Sequence, residues 1–297
     1  MLAMTQVFFV TGASRGLGRA IAEQALAAGR HVIATARNPR DLDDLAARYG
    51  DRVLIEPLDV TDPAAAQRAV ASGLATFGRL DVVVNNAGQG DRASLEDTTL
   101  EDFRRQIETN FLGTVYVTKA AIPIMREQGG GRIIQISSLG GRMGSPGMTA
   151  YQSAKWAVGG FSEALAAEVG PLGIKVTVLE PGGMRTDWAG SSMSTPPISA
   201  PYEATVGASA RAMAGFEHVA NGDPRKVAQL VLTLAGLDDP PLRILAGSDA
   251  YEYGRQAWRH RLETDQRWEQ LSRSADHDEA GDGWERQRGS SLPALDA

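Results

Sequence analysis

Val7-Phe8-Phe9-Val10-Thr11-Gly12-Ala13-Ser14-Arg15-Gly16-Leu17-Gly18 joins an apolar run to a glycine-rich turn near the start of a 297-residue chain. Gln6 to Val10 has no polar face, as expected of a strand in a parallel sheet covered by helices on both sides. Beyond the turn, Gly16 to Ala28 reads as a helix, and Gly29 supplies a left-handed stop. Glycines at 12, 16 and 18 let the backbone turn tightly and approach a pyrophosphate, whose charge would meet free N–H groups and the helix N-terminus. The spacing is G-x-x-x-G-x-G and departs from the G-x-G-x-x-G dinucleotide fingerprint. Ser14, Arg15 and Leu17 fill the turn and join the glycines as candidate cofactor contacts.

Gly12 to Gly16 also satisfies G-x-S-x-G, the nucleophile elbow of serine hydrolases. An elbow serine tops a later strand and is followed by its acid and His partners. Here His31 starts a strand, and His218, His260 and His277 fall in irregular or C-terminal segments, so that reading lacks its triad.

Working outward, the alternation continues. Strands are predicted at His31–Thr35, Val53–Leu58, Asp81–Val84, Arg132–Ile136, Lys175–Leu179 and Arg243–Ala246. Between them, Thr61-Asp62-Pro63 caps a helix that runs to Phe77, Leu100–Gln128 reads as one long helix, and Thr149–Val169 as another. This pattern predicts a single α/β domain over residues 1–248, a doubly wound parallel sheet of seven strands with helices on both faces. Residues 184–222 hold Pro196, Pro197 and Pro201 among Trp188, Met193, Tyr202, Met213 and Phe216 without sustained periodicity, the composition of a lid or of a disordered loop. Tyr251–Ser274 is helix-like, within a C-terminal extension at 249–275, and 276–297 reads as a disordered acidic tail.

Composition narrows the classes. The absence of Cys removes disulfides, iron–sulfur sites and thiol nucleophiles, and fits a reducing, cytoplasmic setting. The net charge of -6 argues against nucleic acid or an acidic membrane surface as partner. Six acids and two Arg in the last 22 residues account for -4 of it. The longest uncharged stretch, Trp188 to Tyr202, has 15 residues and is rich in Ser and Pro, short of the roughly 18 apolar residues of a spanning helix.

The turn at Thr11–Gly18, Asn85-Asn86-Ala87-Gly88 after the fourth strand, Ser137-Ser138 after the fifth and Tyr151-x-x-x-Lys155 together resemble the short-chain dehydrogenase/reductase family in its shorter-chain branch, over Gln6 to about Ser248. With 6 Tyr and 4 Lys in the chain, a chance pair at that spacing is expected about 0.08 times. Residues i and i+4 share a helix face, so Lys155 can stand near the Tyr151 phenol and lower a pKa that starts near about 10. Tyr151 would then pass a proton to or from the substrate oxygen while Ser138 holds that oxygen. The resemblance adds Asn110, in Thr109-Asn110-Phe111-Leu112-Gly113, as the residue that holds a proton-relaying water for the Lys.

Cofactor choice is read after the second strand, at Ala34-Thr35-Ala36-Arg37-Asn38. An NAD enzyme places an acid about 20 residues beyond the glycines for the ribose 2′-hydroxyl. Ala36 stands there instead, and Arg37 and Arg15 can fork onto a 2′-phosphate, which favours NADP(H), although Asp41 lies close by. The resemblance further implies Asp59 and Val60 at the adenine, backbone of Asn86, Ala87 and Gly88 along the cofactor, and Pro181, Gly182, Met184 and Thr186 at the nicotinamide carboxamide. It implies an NADP(H)-dependent oxidoreductase interconverting a ketone or aldehyde and an alcohol, and a homodimer or homotetramer through the two long helices. The aromatic and Met content of 184–222 suggests a mainly apolar substrate. A cofactor sensor without turnover and an epimerase or dehydratase remain alternatives. The C-terminal helix could cover a subunit surface or the active-site mouth.

Overall fold

The computed structural model describes residues 5–185, 193–214 and 220–277. Its central sheet contains β1 (Val7–Val10), β2 (His31–Ala36), β3 (Val53–Pro57), β4 (Val82–Asn85), β5 (Gly131–Ile136), β6 (Ile174–Pro181) and β7 (Arg243–Ala246). All neighbours are parallel, in the order β3-β2-β1-β4-β5-β6-β7. The seven strands of the sequence reading are these seven.

Covering both faces explains the uninterrupted apolar runs. Phe8 and Val10 pack into one layer with α1 (Gly16–Ala27), through Leu17, Ile21 and Leu26, and with α2 (Asp43–Tyr49), through Leu45. Val7 and Phe9, one residue out of phase, enter the opposite layer, made by Val70 of α3 (Pro63–Phe77), Val117 and Met125 of α5 (Gly113–Glu127), and Leu165 of α6 (Thr149–Val169). Helix stops follow the expected chemistry. Asp62 accepts the Ala64 N–H at 2.8 Å to open α3, and Gly78 closes it at φ +72°. The strand order reverses between β1 and β4, and the crevice beyond the carboxyl ends at such a switch point is where open α/β sheets bind ligands.

One element differs from the sequence reading. Leu100–Gln128 is not a continuous α-helix: α4 (Leu100–Ile107) and α5 are joined by a π-helical turn at Glu108–Leu112, with Asn110 fully buried in it. The widened turn frees main-chain groups, and side chains take them up. Asn110 Nδ2 donates to the Gln106 carbonyl at 2.8 Å, and the Thr114 hydroxyl donates to the Asn110 carbonyl at 3.2 Å.

Within 184–222, Met193–Ser194 forms a two-residue parallel pair with Gly90–Asp91, and short helical turns cover Ala200–Met213. The base of this excursion is stapled shut, with Gly222 N–H on the Gly183 carbonyl and Arg185 N–H on the Gly222 carbonyl. The chain divides into two compact units, Met1–Gly254 and Arg255–Ala297. A helix spans Ser248–Arg267 and a shorter one Glu269–Arg273. The expected tail falls outside the described residues from 278 onward. No helix among the described residues is long and apolar enough to cross a membrane.

Candidate active site

The glycine turn after β1 packs against the end of β4. Gly12 and Gly16 hold φ of +64° and +57°, the left-handed region that favours glycine. Gly18 serves packing: a Cβ there would lie 2.2 Å from the Gly12 carbonyl oxygen and 2.4 Å from Asn86 Nδ2. Asn86 spends its amide on the turn, donating to the Thr11 and Gly12 carbonyls at 2.9 and 3.2 Å. The Thr11 hydroxyl accepts the N–H groups of Asn86 and Ala87, both at 2.9 Å. Thr11 is thus the latch between the two loops, a role its place in the quoted motif did not reveal. Leu17 is buried, Ser14 half-buried and Arg15 exposed, and no side chain caps the N-terminus of α1.

At the end of β2, Ala36 is buried while Arg37 is exposed. The nearby acid is already engaged, since Asn38 Nδ2 donates to Asp41 at 2.7 Å. Asp59 is exposed and uses one oxygen on the Thr61 N–H and hydroxyl at 3.0 and 2.8 Å. Val60 packs on α5, where a Cβ at Gly113 would come within 2.7 Å of it. Gly182 is held from beneath by Asp249, whose carboxylate accepts the Gly183 N–H at 2.8 Å and would lie 2.3 Å from a Cβ at Gly182. Met184 bridges to Gly222. Thr186 lies outside the described residues.

Tyr151 and Lys155 face inward on one stripe of α6 with Ala154, Val158, Ser162, Leu165 and Val169. Lys155 Nζ lies 5.7 Å from the centre of the Tyr151 ring and donates to the Ile136 carbonyl at 2.8 Å. Tyr151 is hydrogen-bonded to the Ser138 side chain, and the Ser138 hydroxyl accepts the Gly140 N–H at 3.0 Å. The Asn110 amide is engaged with the loop after β4: Oδ1 accepts the Gln89 N–H at 3.1 Å, and Nδ2 donates to the Gln89 carbonyl at 2.8 Å. Gly88 fits between them, where a Cβ would lie 2.8 Å from Asn110 Oδ1 and 3.7 Å from Lys155 Nζ.

Burial dominates the electrostatics of this group. It pushes the Tyr151 phenol up to about 12, against the opposing hydrogen bond from Ser138, and pushes the Lys155 ammonium down to about 8. The lowering of the phenol expected from a neighbouring Lys is therefore outweighed in the protein by itself. Lys155 binds fewer protons folded than unfolded between about pH 8 and the ordinary lysine value of 10.5, so its contribution raises stability as pH rises through that window. The urea midpoint of the wild type minus that of Lys155→Met is expected to increase from pH 8 to pH 10. A flat difference would contradict the burial argument.

The short chain dehydrogenase family model matches residues 6–196. The chain is a short-chain dehydrogenase/reductase. It is 54% identical over 270 residues to Oxidoreductase BOA17 of Botryotinia fuckeliana, spanning 91% of this chain and 98% of that protein. A short-chain dehydrogenase from Streptomyces avermitilis superposes with a TM-score of 0.86 at 39% identity, covering 92% of this chain and all of that one. An alcohol dehydrogenase from Thermococcus sibiricus, complexed with 5-hydroxy-NADP, superposes at 0.68 with 27% identity over 82% of this chain and 96% of its own.

In this short-chain dehydrogenase the loop after Ser138 is tied down by a buried ion network. Glu180, fully buried at the end of β6, accepts Arg142 Nε at 2.7 Å and Arg243 at 2.5 Å. Arg243 also reaches Glu163 of α6 at 2.6 Å, and Gly159 leaves room for its guanidinium. The network joins the Ser138 loop, β6, β7 and the helix of Tyr151. A single acid inside the apolar run Val176–Leu179-Glu180-Pro181 was its sequence signal. Among the described residues no cluster of three His, Cys, Asp or Glu could hold a metal.

Proposed function

We propose that this oxidoreductase interconverts a ketone or aldehyde and an alcohol with NADP(H), with Tyr151 as general acid and base. The carrying observation is the hydrogen-bonded Tyr151–Ser138 pair backed by the buried Lys155, at the carboxyl ends of the strands beside the switch point. The cradle fits a dinucleotide: Gly12 and Gly16 hold the turn open, the α1 N-terminus carries no capping side chain, and Gly88 leaves space above Lys155. Bound there, the nicotinamide would supply or accept a hydride at the substrate carbon.

The chain supplies the rest. In reduction the Tyr151 hydroxyl gives its proton to the carbonyl oxygen, and in oxidation the phenolate takes the proton back from the alcohol. Ser138 holds the same oxygen by a hydrogen bond. Lys155, fixed by the Ile136 carbonyl, stabilises the phenolate left after donation. Burial keeps Tyr151 in the protonated form that donates.

NADP(H) is supported by buried Ala36 at the acid position, by Asp41 engaged with Asn38, and by exposed Arg37 and Arg15, neither with an acidic partner among the described residues. The similar alcohol dehydrogenase of Thermococcus sibiricus is complexed with an NADP derivative, which agrees. Thermal stabilisation should be greater with NADPH than with NADH, and nicotinamide absorbance should change with members of a ketone and alcohol panel. Arg37→Asp should move the kcat/KM ratio from NADPH toward NADH by about tenfold or more, since one charge-assisted bidentate contact is lost and the replacement repels the phosphate. An unchanged ratio would sink the assignment.

A further inference from the structure

Arg92 is 7% exposed, and burial lowers its pKa with no carboxylate offsetting the effect. Its Nε has no partner, and among the described residues no acid pairs with its guanidinium. Elsewhere the fold pairs its half-buried arginines, Arg142 and Arg243, with the buried Glu180. The acid beside Arg92 is already used, because Asp91 accepts Arg105 at 2.5 Å and the Ser194 hydroxyl at 2.8 Å. A largely buried arginine with an unpartnered Nε and no acidic partner among the described residues is costly, and an anion arriving from outside the chain would offset that cost.

Its place says where that anion comes from. The Arg92 N–H donates to the Ser194 carbonyl in the excursion at 184–222, and the next residue, Ala93, donates to the carbonyl of Gly147, four residues before Tyr151. A Cβ at Gly147 would lie 3.0 Å from Arg92 Cγ and 2.9 Å from Val206 Cγ1, so the arginine stem and the 203–207 turn both pack at Gly147, on the approach to the Tyr151 helix. The other arginines described in the excursion are engaged, Arg211 with Glu203 and Arg185 with the Ala220 carbonyl.

We infer that Arg92 receives a carboxylate of the carbonyl substrate, making this chain selective for oxo acids with an apolar body rather than for neutral ketones. This rests on the oxidoreductase reading above. A single guanidinium matches the single charge and planar fork of a carboxylate, whereas a phosphate would call for a second cation.

The test uses the full chain with NADPH and the series 5-oxohexanoate, 7-oxooctanoate and 9-oxodecanoate, each against its methyl ester. For at least one chain length the acid is expected to exceed the ester about tenfold or more in kcat/KM, mainly through KM, and Arg92→Met should bring that ratio near one. Equal values in the wild type, or a ratio unchanged by Arg92→Met, would overturn the inference. Calorimetric titration of the NADPH complex with decanoate and decan-1-ol needs no turnover. Tighter binding of decanoate that Arg92→Met abolishes supports the site even if no ketone is reduced, in which case the oxidoreductase reading alone fails; no preference for decanoate refutes the site. Arg92→Met should also unfold at the same or a higher temperature than the wild type, because it removes a buried charge. A fall in Tm would assign Arg92 a structural role instead and refute the inference.

Discussion

Tyr151→Phe is expected to reduce turnover by about a hundredfold to ten-thousandfold while leaving stabilisation by NADPH nearly intact. The phenyl ring fills the same buried space on α6, so the change removes a hydroxyl rather than a packing element. What is lost is the proton that must reach the substrate oxygen as carbon gains hydride, together with the hydrogen bond to Ser138. Because Lys155 is fixed through the Ile136 carbonyl rather than through the phenol oxygen, its position should survive the substitution. The measurements are steady-state rates by nicotinamide absorbance and the NADPH-induced rise in melting temperature. Turnover within a few-fold of the wild type would remove Tyr151 from the chemistry, and a lost NADPH response would mean that the variant reports on binding instead.

Glu180→Gln is expected to destabilise the fold by about 3–5 kcal/mol, the range for removing one partner of a buried ion pair. Both carboxylate oxygens are used, one by Arg142 and one by Arg243, and neither guanidinium has water enough to replace them, with side chains 12% and 17% exposed. An amide keeps the shape and one acceptor but removes the charge, leaving two half-buried cations with the exposed Glu163 as the remaining acid. Urea unfolding with a fixed m-value should show the loss as a lower midpoint. A combined Arg142→Met, Glu180→Leu, Arg243→Met variant should recover much of it, since a neutral, well-packed set no longer carries unpaired charge. A midpoint unchanged by Glu180→Gln would show the network to be dispensable.

These two residues also mark where sequence reading succeeds and where it stops. Tyr151 and Lys155 were visible because their relation is local: four residues on a helix place both on one face, whatever the rest of the chain does. Glu180 draws its partners from 38 and 63 residues away, and no local pattern specifies such a distance. The same separation hid the π-helical turn at Asn110. Its amide is held by Gln89, 21 residues earlier, so the interruption of the helix depends on a loop that only the folded chain brings there. Spacing likewise pointed to a lowered Tyr151 pKa, but burial, set by all the layers around α6, reverses the direction in the protein by itself.

The sequence by itself determined the seven parallel strands, because strands covered on both faces read as short, nearly continuous apolar runs between helical stretches, and it determined the glycine turn and the Tyr–Lys pair, because each is a short-range constraint on backbone or helix phase. The tertiary structure decided what each polar group is free to do. Asn86 and Asn110 are spent on holding loops, Asp41 on Asn38, and Asp249 beneath Gly182, while Arg37 and Arg92 are left without an acidic partner among the described residues. The physical reason is that a hydrogen-bonding group is committed or available according to its neighbours in space, and those neighbours come from distant parts of the chain.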